Sequence, residues 1–251
     1  MCSSCLSNAP ANHRKSPGPH DGWGIFFCKK GKKLATYRKT SYICTSDMNN
    51  NNQIAEWCEN VILVDADYVD KVTFNLIVNF ERMLGRQIPK ASMSLWIECI
   101  ALDGGLRAGE NETLVVLIHN RKKRKMENFT PADFTSELSD KAFKDHLGEF
   151  IFDSYIAEER LVAHDDFFVE ILQLITAQKE VKRVMVVPNA EDEYIYNKVR
   201  VTLNNLDDND KRITVFAMQP MPGGNFRQEI LGFSLMAALG IKSEEFKNKK
   251  K

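Results

Sequence analysis

The sequence predicts an α/β fold: a single Rossmann-like three-layer domain, with a mainly parallel sheet of about five strands and helices on both faces. Three observations predict it. Short, near-continuous apolar runs recur at Val61–Val64, Thr113–His119 and Val181–Val187, as strands buried on both faces require. Between them lie stretches whose apolar residues recur at helical spacing. The first run passes directly into Asp65 and Asp67, and the carboxyl ends of parallel strands are where ligands bind in such folds.

Residues 1–47 hold Pro, Gly, Ser, Lys and isolated aromatics without a sustained period, so they read as a disordered or non-native extension. Met48, followed by Asn49–Asn52, opens the α/β domain, residues 48–246. Ile54–Glu59 reads as a helical turn and Val61–Asp65 as the first strand. Asp70–Leu84 carries Val72, Leu76, Ile77, Phe80 and Leu84 on one helical face, with Gly85 as its C-terminal cap. A second helix follows Pro89 to about Leu102, with Leu95, Trp96, Cys99 and Leu102 facing inward. Thr113–His119 is the second strand. Thr130-Pro131 reads as N-cap and first residue of a helix to about Asp145, carrying Phe134, Leu138 and Phe143. Gly148–Ile156 is the third strand. Residues 164–178 form a helix with Phe168, Ile171, Leu172 and Ile175 inward. Val181–Val187 is the fourth strand, Tyr194–Leu206 a helix with Val199 and Leu203 inward, and Arg212–Met218 the fifth strand. Asn225–Leu239 is the closing helix, burying Ile230, Leu231, Phe233 and Leu235. The tail, residues 247–251, is basic and disordered.

Charge narrows the function classes. Lys plus Arg equals Asp plus Glu at 34 each, but residues 1–47 hold eight bases against Asp21 and Asp47. The remainder therefore carries 26 bases against 32 acids, which counts against strong nucleic-acid binding by bulk charge. The six cysteines are scattered. Cys2, Cys5, Cys28 and Cys44 lack the second close pair of a zinc ribbon, and no disulfide framework is expected. No apolar run approaches the roughly 20 residues that span a bilayer, and no signal peptide is visible. A cytoplasmic location and no membrane partner follow as expectations.

Acids recur at or after the carboxyl ends of strands: Asp65 and Asp67, Asp165 and Asp166, and Glu191, Asp192 and Glu193. Parallel strands bring such ends to one edge, where crowded carboxylates would suit Mg²⁺ or Mn²⁺. Such ions activate water and steady an in-line phosphoryl displacement. The bland reading is that acids are common in loops, and Asp165 and Asp166 also suit a helix's first turn. Arg121, Lys122, Lys123, Arg124 and Lys125 follow the second strand. They read as a solvated loop or as substrate-binding residues for a phosphate backbone.

The order of elements from Val61 to Met218 resembles the NYN/PIN-like superfamily of metal-dependent ribonucleases. Asp65 matches that family's Asp at the end of the first strand, and Asp165 or Asp166 matches the Asp on the helix after the third. Asn189-Ala-Glu191-Asp-Glu193-Tyr194 is similar to its acidic turn after the fourth strand, with Glu in place of Asp. The Lys-Gly ahead of the helical Asp is replaced by Ala163-His164. The resemblance implies a Mg- or Mn-dependent ribonuclease acting on RNA, or a degenerate relative. Its catalytic residues would be Asp65, Asp67, Asp165, Asp166, Glu191 and Glu193, with Asp65, Asp165, Glu191 and Glu193 on the metal.

Two other readings stand beside it. Asp65-Ala-Asp67-Tyr-Val69 also looks like the first motif of haloacid-dehalogenase-type phosphatases, with Asp65 as nucleophile and Asp67 as general acid/base. That family's later Gly-Asp-x-x-x-Asp is absent. A non-enzymatic interaction module would explain the imperfect acids and the net negative domain. Dinucleotide binding is excluded at the first strand, which no G-x-G-x-x-G follows. His119, His146 and His164 stand alone in sequence, His164 beside Asp165 being the one of interest.

Overall fold

The computed structural model describes residues 27–28, 57–157, 164–206 and 211–247. The readings of the N-terminal extension beyond Phe27–Cys28, of Met48 and of the tail past Lys247 lie outside these residues. So does most of the turn expected at Ile54–Glu59, whose described part, residues 57–59, forms no helix.

In chain order the elements are β1 (Phe27–Cys28), β2 (Asn60–Asp65), α1 (Ala66–Leu84), β3 (Ala91–Ser92), α2 (Met93–Asp103), β4 (Asn111–Asn120), β5 (Phe129–Thr130), a π-helical turn (Phe134–Leu138), β6 (Lys141–Asp145), β7 (Gly148–Ala157), α3 (His164–Ala177), β8 (Arg183–Val187), α4 (Glu193–Asn204), β9 (Arg212–Ala217), β10 (Arg227–Ile230), α5 (Leu231–Ala238) and α6 (Glu244–Lys247). Seven strands and the two-residue β1 make one sheet, ordered β1-β6-β7-β4-β2-β8-β9-β10. From β7 to β10 every neighbouring pair is parallel, and β6 and β1 extend the far edge antiparallel. The strands expected to lie parallel in one sheet do so. The sheet is wider than the expected five strands because the two-residue β1 joins it and two segments expected to be helical supply β6 and β10.

The first is the helix expected from Pro131 to Asp145. Asp133 caps only a single turn, accepting from Thr135 N at 3.0 Å and Ser136 N at 2.8 Å. Asp140 then adopts a left-handed φ of 59°, and β6 pairs with β7. That pairing sets Phe143 opposite Phe150, their rings stacked with centroids 4.8 Å apart. A cross-strand aromatic pair outweighs a weakly amphipathic helix. The second is the start of the closing helix. Arg227–Ile230 pair with Thr214–Ala217 as β10, and Phe233, expected inside, is 65% exposed.

In α2 the buried face is Met93, Trp96, Ile97, Ile100 and Ala101, while Leu102 is exposed. Its apolar residues run nearly all round the helix, so spacing could not choose the face. Cys99 is partly buried, and burial, then Glu98 and Asp103, pushes its thiol up to about 11. α1 begins at Ala66 because Asp65 caps it. It ends at Gly85, whose φ is 67° and whose N–H donates to Glu81 O at 2.8 Å.

The strand side chains alternate between two cores. Ile62 and Val64 join one with Val69 and Val72 of α1, Trp96 and Ile100 of α2, and Leu231 and Leu235 of α5. Val61 and Leu63 join the other with Phe168, Leu172 and Ile175 of α3 and Val199 and Leu203 of α4. Fully burying one such side chain stabilises the fold by about 1.5–3 kcal/mol. β2 is buried along its whole length, so it anchors both cores. Among the described residues no helix is long and apolar enough to cross a membrane.

Candidate functional site

The sheet's order reverses between β2 and β8. The connection leaving β2 and the one leaving β8 therefore diverge at the carboxyl edge, the usual ligand position in open α/β sheets. Asp65 stands at this point. It takes an extended N-cap conformation, its carboxylate accepts from Tyr68 N at 3.0 Å, and it is 4% exposed. Asp67, in the first turn of α1, accepts from Asn120 N at 2.9 Å and lies 3.4 Å from Lys123 Nζ. Arg121, Lys122, Lys123, Arg124 and Lys125 are all exposed. Lys123 thus reaches an acid of the edge, while Lys125 pairs with Glu127 at 3.1 Å.

On the other side of the reversal, Glu191 lies 3.4 Å from Lys71 Nζ of α1. Glu193 is exposed in the first turn of α4. Between them Asp192 caps α4, accepting from Tyr194 N at 2.9 Å and Ile195 N at 3.3 Å. Asp166 forms an ion pair with Lys198 of α4, and that hydrogen bond raises the Lys198 ammonium above its ordinary range. Lys198 Nζ also sits 4.4 Å over the Tyr194 ring. Asp165 is the second residue of α3, but its side chain, like that of His164, lies outside the described residues.

Tyr68 draws the two sides together. It is 3% exposed, and its hydroxyl is buried without a hydrogen-bond partner among the described residues. Burial, then Glu191, then Asp65 hold its proton on well above the usual phenol range. Tyr68, Lys71 and Lys198 are absent from the sequence reading. Their signal was helical spacing: Lys71 stands four residues after Asp67 and Lys198 four after Tyr194, so each pair shares a helix face.

A shared ion needs several ligand atoms close together. Asp65, Asp67, Asp166, Glu191 and Glu193 enter no group of three whose ligand atoms lie within 4.8 Å of one another; among the described residues the group that does is Glu98, Asp145 and His146. There His146 Nδ1 is 3.6 Å from Glu98 Oε1, and Asp145 accepts from Leu147 N at 2.7 Å, shaping the turn before β7. His119 is a core residue, 4% exposed, its ring stacked on Phe134 with centroids 3.8 Å apart.

A family model described as a family of unknown function (DUF6621) matches residues 54–246. No curated protein and no solved structure matches the chain.

Proposed function

The chain belongs to DUF6621, a family of unknown function, and from its own geometry we propose that it is a non-enzymatic binding module. On this reading the scaffold is Rossmann-like and three-layered, and it is a degenerate relative of the NYN/PIN-like ribonucleases. One observation carries the reading: four of the edge's carboxylates, Asp65, Asp67, Asp166 and Glu191, are engaged by their own surroundings. Asp65 caps α1, Asp67 binds the Asn120 amide and faces Lys123, Asp166 holds Lys198 and Glu191 faces Lys71. Acids so neutralised do not crowd one another, and it is crowding that a divalent ion would relieve.

Metal-dependent phosphodiester hydrolysis is the second reading. It is favoured by the unpartnered Tyr68 hydroxyl, which feels both Asp65 and Glu191 at the sheet's reversal. There Asp65, Asp165, Glu191 and Glu193 would hold Mg²⁺ or Mn²⁺, which would supply an activated water. Arg121, Lys122, Lys123 and Arg124 would then meet the phosphates of RNA.

Melting the wild type, Asp65→Ala and Asp65→Asn, each in chelator and in Mn²⁺, separates the two. As a cap, Asp65 makes the alanine variant about 1 kcal/mol less stable and leaves the asparagine variant within a few tenths, because Asn caps nearly as well. Metal then moves none of the three. A wild type gaining about 2.7 kcal/mol at one hundred times the dissociation constant for Mn²⁺, with both variants losing that gain, overturns the binding-module reading.

A further inference from the structure

The opposite edge of the sheet carries a cavity of about 780 Å³. It opens where β2, β8, β9 and β10 begin and where α2 ends at Gly104-Gly105. Arg107, Arg183, Lys211, Arg212 and Arg227 line it, against one acid, Glu59. The register explains the crowding. Arg183 and Arg212 are direct partners across the parallel β8–β9 pair, so both side chains leave the same face of the sheet. Gly105, at φ 84°, makes room for the cations. A Cβ there would stand 3.1 Å from Arg183 Nη1 and 3.6 Å from Arg227 Nη1, so two guanidinium groups flank one glycine.

Several of these cations are held in place by the backbone or by a neighbour. Arg183 donates from Nη1 to Gly104 O at 2.7 Å, at the electronegative end of α2, and its Nε is buried without an acceptor among the described residues. Lys211 is held by the carbonyls of Gln178 and Val181 at 2.7 and 2.8 Å. Arg227 pairs with Glu229 at 2.7 Å. Among the described residues no carboxylate pairs with Arg107, Arg183 or Arg212. Burial, then Arg212 and Arg107, holds the Arg183 guanidinium below its usual range, a mark of like charges facing one another.

We propose that this amino-edge cavity binds a small anion bearing a diphosphate group. Guanidinium forks match phosphate oxygens two at a time, and several converging cations call for more than one negative charge. The volume falls within the roughly 300–1,000 Å³ of small-molecule sites. Free pyrophosphate and a nucleoside diphosphate share this chemistry. Phe226, also on the wall, gives the second an apolar surface for its base. The proposal does not rest on the carboxyl-edge reading, because it uses the other end of the strands.

Calorimetric titration of the full chain with pyrophosphate, and separately with adenosine diphosphate, tests it. The expected result is saturable binding of one anion per chain, weaker at high salt. Each guanidinium would donate charge-assisted hydrogen bonds to the phosphates, so Arg107→Gln with Arg212→Gln should weaken binding at least about tenfold. Unliganded, the same variant should melt no lower than the wild type, because it removes repulsion. If the double variant does not fold, Arg107→Gln alone serves, since Arg107 lies on the exposed loop before β4. Equal affinity for the two ligands means that the diphosphate alone is read; tighter adenosine diphosphate means that the nucleoside is held as well. No saturable heat at millimolar concentration of either ligand, or variant affinity equal to wild type, overturns the proposal.

Discussion

Asp153 shows how a single carboxylate can work against the fold that holds it. It lies within β7, accepting from Tyr155 Oη at 2.9 Å and its neighbour's amide, Ser154 N, at 2.8 Å. Burial nonetheless dominates and raises its carboxyl above the ordinary range, with Asp140 adding to the rise. An acid whose folded value is raised loses stability as pH climbs from its unfolded value through its folded one. Asp153→Asn should therefore melt at or above the wild type at neutral pH. The gap should close on acidification through the carboxylate range, as the native residue takes up its proton; melts at pH 7 and pH 4 check this. Nothing in the sequence marks Asp153 as unusual, because the turn beside it, where Asp140 N donates to Phe152 O, comes from a stretch that reads as helical. Asp65 and Asp67 were legible, since an apolar run ending in acids fixes their place at the strand's end. Which neighbouring acid spends itself on a cap was not, and Asp192 proved to be the cap between two candidate ligands.

At the scale of elements, two substitutions probe pairings that periodicity missed. Phe143→Ala in β6 should cost about 3–5 kcal/mol, since its ring stacks inside the core. Phe233→Ala should stay within about 0.5 kcal/mol, as exposed positions do, although the expected closing helix would have buried it. Urea midpoints of the two variants compare them directly. Gly148 gives a third test, at the start of β7. Its φ is 132°, and a Cβ there would stand 2.2 Å from Asn111 O across the β4–β7 pair. Gly148→Ala should cost at least about 2 kcal/mol, as strain at a sparsely populated φ joins a backbone clash. The long buried strands and α1, α3 and α4 were legible because burial on two faces, or one apolar stripe, leaves a local signature. Residues 131–145 and 225–230 misled because pairing with β7 and β9, the strands next to them in the chain, outbids local helical preference.

For the molecule as a whole, the sheet separates two edges. β2 spans six residues, so acid edge and basic edge lie about 20 Å apart. Asp65→Ala and Arg212→Gln should therefore add in stability within about 0.5 kcal/mol, as distant sites do; a larger coupling in urea unfolding would mean that the two ends communicate. The sequence drew attention to one edge because the carboxyl-end rule is strong. The other went unnoticed because Arg107, Arg183, Arg212 and Arg227 are spread across the chain, and only strand order gathers them.

That same order bears on how the chain is made. β2, central and wholly apolar inside, leaves the ribosome early. One flank is covered when β4 appears, but the other waits for β8, about 120 residues later. At ordinary synthesis rates of about 5–20 residues per second this is a wait of roughly 6–24 s. Through it a sticky edge stands open to other nascent chains or to chaperones. Chains stalled before Arg183 should be cut readily by protease, and resistance should arrive as Val187 clears the exit tunnel.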